Sequence, residues 1–371
     1  MAKVLYLVTE GAYFLSHRLA LAKEVQKQGH DVVVLTVPGA SHDIILSHGF
    51  RLRSLTKMTR SGMNPIQQLQ SICEIFKFYK KEKPDVVHHV AMKPVVYGTI
   101  AARMAGIKCI VNALTGLGFV FISKQIFVRI LRLLLVLFFR MSFASKKVKT
   151  ILQNKDDFDY FSQFLPKKNL VLIRGSGVDT KTFSPKGFKP NSRIKIILAA
   201  RLLWDKGIGE AIEAIKILKS KGHKADLIIA GKLDPDNPSH IEEKQIKDWV
   251  HKKFCIWKGH VQKVYALYQG ADIALLPSYR EGLPKSLLEA ASCGVPMVST
   301  DVPGCREIVR HGKSGLLVPP KDSTALASAL EKLIASPSLR KRMGATGRKD
   351  VEKYFSDDHI IKKTISLYGL R

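Results

Sequence analysis

Residues 4–37 read VLYLVTEGAYFLSHRLALAKEVQKQGHDVVVLTV. Val4 to Thr9 is a short apolar run with the look of a buried strand. A glycine-containing loop follows, then a helix-like stretch from Leu15 to Gln28. The turn Gly29-His30-Asp31 leads into a second β-rich run, Val32 to Val37. Strand, loop, helix, turn, strand is a βαβ unit, and such units build parallel sheets. Working outward, Asp85 to His88 opens another strand, Val95 to Ala105 reads as a helix ended by Gly106, and Cys109 to Ala113 is strand again. Lys149 to Gln153 and Val171 to Arg174 are two further short strands.

At Arg193 the rhythm restarts. Ile194 to Ala200 (IKIILAA) is a buried strand, a helix follows from about Gly209 to Lys221, and Ala225 to Ala230 is the next strand. Trp257, Ala271 to Leu276 and Pro296 to Thr300 mark three more. The expected fold class is α/β, with two doubly wound parallel sheets. The expected domains are 1–184, together with a C-terminal helix at about 357–371, and 185–356. Phe183 to Asn191, with Pro185, Gly187 and Pro190, reads as the linker. Two such domains usually bind a ligand in a cleft at the carboxyl ends of their strands.

Composition narrows the classes. A chain of 371 residues with 46% hydrophobic and 25% charged residues is an ordinary globular protein, long enough for two cores. The five cysteines are scattered without a C-x-x-C pair, which signals neither a zinc site nor a disulfide framework and fits a reducing cytosol. Sixty Lys and Arg against 31 Asp and Glu leave a net charge of +29, spread over both halves: +16 for residues 1–184 and +13 for the remainder. Nucleic acid, an anionic membrane surface and a polyphosphate-bearing substrate each suit that charge. No helix-turn-helix, zinc-finger or RNA-binding signature supports nucleic acid, so none is expected as a partner.

The N-terminal run reads as core, not as a signal peptide. The most apolar stretch, Ile126 to Ala144, is interrupted by Arg129, Arg132 and Arg140. A spanning helix needs about 20 mostly apolar residues. This stretch suits an interfacial helix instead, its arginines reaching phosphates while Leu134 and Phe138 enter the acyl boundary.

The most informative block is SYREGLPKSLLEAASCGVPMVST, Ser278 to Thr300. Glu281 and Glu289 stand eight apart, with Gly282-Leu283-Pro284 between them and a helix opening at about Lys285. Free N–H groups of Leu283, Lys285, Ser286 and Leu287, together with the helix dipole, make an anion site suited to a diphosphate. Two carboxylates beside it suit sugar hydroxyls. The second block is AARLLWDKGIGEAIEAI, Ala199 to Ile215. Arg201 and Lys206 lie in the loop after the strand, where two cations can neutralise a leaving diphosphate. Asp234 and Asp236 form an Asp-x-Asp pair on a Pro-rich loop; they read as a solvated turn, and no metal site is expected.

These two blocks resemble the retaining glycosyltransferases of family 4, of the GT-B fold: two Rossmann-like domains facing a central cleft. The resemblance covers essentially the whole chain and is strongest in the second domain. HHVAMKPVVYGTIAAR, NALTGLGFVF, ALLPSYREGLPKSLLEA and STDVPGCREIV look most like bacterial enzymes that extend undecaprenyl-diphosphate-linked sugars. The resemblance implies a nucleotide-sugar donor, UDP-linked by the same likeness, and no cofactor besides it. It implies that Glu289 binds the ribose, Glu281 the donor sugar's hydroxyls, and Arg201 and Lys206 the diphosphate, helped by the amides of Leu283 to Ser286. It implies further that Gly231 lets the nucleotide approach and that Val261 meets the base through its backbone. A second glycine often follows Gly231 in such enzymes, whereas Lys232 and Leu233 follow here.

In the first domain, the Gly11-Ala12 turn would face the donor phosphates. His17, Arg18, His89, Lys93, Asn112, Thr115 and Gly116 are the acceptor-binding candidates, and no base is singled out among them. The resulting expectation is an enzyme at the cytoplasmic face of the cell membrane that moves a sugar, N-acetylgalactosamine favoured, from a UDP-sugar to a polyprenyl-diphosphate-linked saccharide. The alternatives are a transferase with a soluble or another lipid acceptor, a non-hydrolysing UDP-sugar epimerase, and a non-catalytic sugar-nucleotide-binding protein.

Overall fold

The computed structural model describes residues 1–59, 64–116, 126–143, 145–187 and 193–370, the side chains of 126–131 excepted. The chain forms two compact units, Met1–Ser176 with Asp357–Arg371, and Gly177–Ser356.

Unit 1 carries a seven-stranded parallel sheet in the order β3-β2-β1-β4-β5-β6-β7. The strands are β1 (Lys3–Leu7), β2 (Asp31–Thr36), β3 (Arg51–Ser54), β4 (Val86–Val90), β5 (Cys109–Leu114), β6 (Val148–Leu152) and β7 (Leu170–Leu172). Val4 to Leu7 and Val33 to Leu35 are completely buried. Strands covered on both faces read as continuous apolar runs, which is why the opening sequence shows them so clearly. The helix expected over 15–28 is two helices, Gly11–His17 and Leu19–Lys27. The break is at Arg18, whose φ of −129° departs from helical geometry and whose side chain turns into the interior.

Unit 2 carries a six-stranded parallel sheet in the order β10-β9-β8-β11-β12-β13. Its strands are β8 (Ile194–Ala199), β9 (Ala225–Ala230), β10 (Ile256–Trp257), β11 (Ile273–Leu276), β12 (Met297–Thr300) and β13 (Gly315–Val318). The chain leaves unit 1 at Ser176, upstream of the stretch expected as linker. Phe183 already packs on the core of unit 2, and its carbonyl accepts from Ser292 Oγ at 2.6 Å and Arg348 Nη1 at 2.8 Å. After Ser356 the helix Asp357–Ile365 returns to unit 1, where Tyr368 Oη meets His88 Nδ1 at 2.6 Å.

Among the described residues no helix is long and apolar enough to cross a membrane. The helix Ile126–Phe143 presents Leu133, Leu134, Leu137 and Met141 to solvent, a spacing that makes one stripe. Arg140 is exposed and Arg132 half-buried, while the Arg129 side chain lies outside the described residues. Phe138, expected on the outer face, packs instead on the core, 5.7 Å from Phe139 and 6.1 Å from Phe143.

Candidate active site

In unit 2 the candidates converge at the carboxyl ends of β8, β9 and β11. β8 ends at Ala199 and feeds the loop that holds Arg201 and Lys206 before the helix Ile208–Ser220. Gly207 joins loop to helix at φ +69°, and a Cβ there would lie 2.0 Å from the Pro277 carbonyl oxygen. Only glycine satisfies both the left-handed backbone and that approach. The Lys206 loop is thereby pressed against the segment leading to Glu281. Tyr279 N donates to the Asp205 carbonyl at 2.9 Å and Ser278 Oγ donates to it at 3.1 Å. Lys206 Nζ consequently sits 2.5 Å from Glu281 Oε1, with both side chains mostly buried.

The helix Lys285–Ser292 begins after Pro284, which is extended, and has no side-chain cap. Leu287, Leu288, Ala290 and Ala291 bury its inner face. The amide of Leu287, expected to be free, donates to the Pro284 carbonyl at 3.2 Å, and Pro284 has no N–H to offer. That bond removes the Leu287 amide from those expected to meet an anion. Glu289 lies one turn in, half-buried. Burial raises its carboxyl to about 7, and the Lys285 ammonium opposes that rise. Tyr268 is buried beside it; burial and then the Glu289 charge hold its phenol well above 10, and a hydrogen bond from Ser286 opposes them. Cys305 lies on the other side, near Glu281, its thiol pushed up to about 12 by burial and by that carboxylate.

Gly231 follows β9. A Cβ there would lie 1.7 Å from the Ala200 carbonyl oxygen, so the backbone must pass against the Arg201 loop without a side chain. Its N–H donates to Gly259 at 2.8 Å, and Trp257 Nε1 donates to its carbonyl at 2.9 Å. Val261, half-buried, stands two residues after Gly259 on the loop so tied.

Sequence reasoning missed one residue here. The Asp-x-Asp pair was expected as a solvated turn, but Asp234 is buried and ion-paired with Arg201 Nη1. A Pro-rich loop with two aspartates looks like a turn in sequence, and nothing local signals that one carboxylate folds inward.

Unit 1 treats its candidates differently. His89 and Asn112 are completely buried and spend their polar atoms on one internal network. His89 Nε2 meets Tyr79 Oη at 2.9 Å, His89 Nδ1 meets Asn112 Oδ1 at 2.7 Å, and Asn112 Nδ2 donates to Thr99 Oγ1 at 3.0 Å. Burial lowers the His89 imidazole to about 4, so it is neutral, and the hydrogen bond to Asn112 opposes that shift. These two are packing residues, contrary to the expectation that they meet an acceptor. Arg18 is also interior, donating from Nη1 to the His17 carbonyl at 2.9 Å. It shares with His88 a cavity of about 10 Å³, room for roughly one water molecule. Gly11 is buried against Ser41 and Ile45 at the start of its helix. His17 stacks on Tyr13 at 4.0 Å, and Thr115 hydrogen-bonds the Tyr13 hydroxyl. Lys93 Nζ, half-buried, donates to the Thr59 carbonyl at 3.0 Å, and Gly116 follows Thr115 at φ +141°.

Two family models match the chain. Residues 179–350 match the glycosyl transferases group 1, and residues 3–154 match the glycosyl transferase 4-like model. The chain is a glycosyltransferase of GT-B fold, with a glycosyl transferase 4-like region in its first unit and a group 1 region in its second. The N,N'-diacetylbacillosaminyl-diphospho-undecaprenol alpha-1,3-N-acetylgalactosaminyltransferase of Campylobacter jejuni is 25% identical over 98% of the glycosyltransferase chain and 97% of its own. The UDP-Gal:alpha-D-GlcNAc-diphosphoundecaprenol alpha-1,3-galactosyltransferase of Escherichia coli is 25% identical over 82% of this chain and 80% of its own. Among solved structures, Anabaena HepE in complex with UDP and glucose superposes with a TM-score of 0.82 at 18% identity, covering 100% of both chains. That likeness is one of fold. The glycosyltransferase thus carries its cations, carboxylates and helix N-terminus on the second of two parallel-sheet units.

Proposed function

We propose that this glycosyltransferase moves a sugar, N-acetylgalactosamine favoured, from a UDP-sugar to an undecaprenyl-diphosphate-linked saccharide, with retention at the anomeric carbon. One observation carries the reading: Arg201, Lys206, Glu281 and the uncapped turn before Glu289 meet at adjacent strand ends of one sheet. That set supports a diphosphate site: two cations and a helix start suit the two phosphates, and a carboxylate on each side suits sugar hydroxyls. Glu289 takes the ribose, Glu281 the transferred sugar, and Gly231 and Val261 bring backbone to the nucleotide. Arg201, Lys206 and the amides at Leu283 and Ser286 take the diphosphate.

Catalysis on this reading is positioning plus stabilisation of charge on the departing UDP, with no protein nucleophile. A donor-phosphate oxygen receives the acceptor proton on the face from which UDP leaves. The two cations supply the electrostatics that a metal supplies elsewhere, so turnover needs no added metal. Of the acceptor candidates, His17, Lys93, Thr115 and Gly116 remain, since the others are interior.

The lipid-linked acceptor is supported by the two undecaprenol-dependent relatives, by the +29 charge and by the exposed Leu133–Met141 stripe beside Arg140, Lys146 and Lys147. Such a stripe suits the anionic inner face of the cell membrane, where the protein would be peripheral.

The test is UDP release from UDP-GalNAc, UDP-GlcNAc, UDP-Gal and UDP-Glc, each with and without a polyprenyl-diphosphate saccharide in detergent. Release that needs one donor together with the lipid acceptor supports the proposal. Release with soluble acceptors alone removes the lipid acceptor, and interconversion of UDP-sugars without any acceptor turns the reading to an epimerase.

A further inference from the structure

We infer that Asp234 is a positioning residue for the transfer reaction: it anchors one edge of the Arg201 guanidinium so that the other edge is offered, already oriented, to the leaving diphosphate. The inference rests on the proposed reading of Arg201 as a diphosphate ligand.

The two partners are buried very unequally. The Asp234 side chain is 6% exposed and that of Arg201 43%, although they form one ion pair. Aspartates are rarely this buried unless paired. A guanidinium is a planar fork with five donors, so a carboxylate that takes Nη1 leaves several N–H groups for a second anion. The half that stays exposed is what a ligand can reach.

The loop bearing Asp234 is laced to the loop bearing Arg201 along its length. Leu202 N donates to the Lys232 carbonyl at 3.1 Å and Ile241 N to the Leu202 carbonyl at 3.0 Å. Trp204 N donates to the Ser239 carbonyl at 2.8 Å, and Ser239 Oγ donates to Asp205 Oδ1 at 2.7 Å. Within the first loop, Asn237 N donates to the Asp234 carbonyl at 2.9 Å. Asp234 therefore stands on a fixed brace and not on a free turn. A long arginine side chain loses rotamer freedom when it grips a phosphate, and an ion pair formed beforehand removes that loss from the binding step. Lys206 is held by the same logic from the opposite side, by Glu281.

The experiment uses the full chain with the donor and acceptor that support turnover, and compares Asp234→Asn, Arg201→Ala and the double variant. Asp234→Asn should lower kcat by about 10- to 100-fold, the scale of a misplaced catalytic group, with the acceptor KM within about twofold. In the Arg201→Ala background the same change should alter kcat by less than about twofold, because the group it positions is gone. The inference is overturned if Asp234→Asn keeps wild-type kcat, if it tightens UDP binding, or if it costs the same factor in both backgrounds. Wild-type kcat in Arg201→Ala removes the diphosphate reading itself, and the inference with it. Should Asp234→Asn fail to fold, Arg201→Lys reads the same geometry: it keeps the charge, loses the fork, and should lose about tenfold or more in kcat, with unchanged turnover contradicting the inference.

Discussion

After β8 and β11 in unit 2, Lys206 faces Glu281 at 2.5 Å and half of Arg201 remains open to solvent. In unit 1, His89 within β4, Asn112 within β5 and Arg18 between the first two helices turn inward, and the imidazole is saturated by Tyr79 and Asn112. Both units are parallel sheets with polar residues near their strand ends, yet one arranges those residues for a ligand and the other largely for itself. A polar residue at a strand end is not a site until its donors and acceptors have been accounted for.

The sharpest way to break this contrast is to remove a residue from each region. Lys206→Ala or Glu281→Gln should lower turnover by about 10²–10³-fold, on the order of 2.7–4 kcal/mol of transition-state stabilisation, while the melting temperature moves little. Steady-state UDP release and thermal melting on the same samples check this. Asn112→Leu should do the reverse. It strips His89 and Thr99 of partners and should cost about 1–3 kcal/mol of stability, with turnover per folded molecule unchanged. If Asn112→Leu instead abolishes turnover in a stable protein, unit 1 holds a site that its burial conceals.

A smaller effect is the pH response of Glu289. Its folded carboxyl sits at about 7, above the usual carboxylate range, because burial disfavours the charge. The folded state therefore binds the proton more tightly than the unfolded chain does. The stability this supplies is fully present below the unfolded value of about 4.3, and it is lost as pH rises through about 7. Donor affinity should run the other way, strengthening as the carboxylate forms. Melting curves and UDP titrations from pH 5 to 8 should show opposite slopes, both flattened in Glu289→Gln. Parallel slopes would separate Glu289 from the donor. The smallest expected effect on the folded protein is that of Leu134→Glu with Leu137→Glu. The melting temperature should hold while binding to anionic vesicles is lost; retained binding would place the membrane contact elsewhere.

The sheets were legible because parallel strands buried on both faces must be apolar from end to end, as in Val32 to Leu35 and Ile196 to Leu198. The edge strands β3 and β13 were not, since Arg51 to Ser54 is half-exposed and Gly315 to Val318 opens on a glycine, which reads as a turn and not as a strand. The break at Arg18 was hidden because Leu15 to Gln28 keeps a helical pattern straight through it. Around the carboxyl ends of β8 and β11, Glu281, Glu289, Arg201 and Lys206 stood out by local spacing, since each stands in or beside the loop after a strand, and their expected roles came from the resemblance. His89 and Asn112 needed knowledge of Tyr79 and Thr99, which the fold alone brings to them. Asp234 was missed for the same reason: its partner Arg201 lies 33 residues away, and a turn-like sequence gives no sign of burial.

The most direct measurement is calorimetric titration of UDP into the wild-type protein, Lys206→Ala, Glu289→Ala and Asn112→Leu. The account predicts saturable binding to the wild type and to Asn112→Leu, at least tenfold weaker for the other two, a loss of about 1.4 kcal/mol or more. UDP binding that survives both unit 2 substitutions and fails in Asn112→Leu would contradict the assignment of the donor to unit 2.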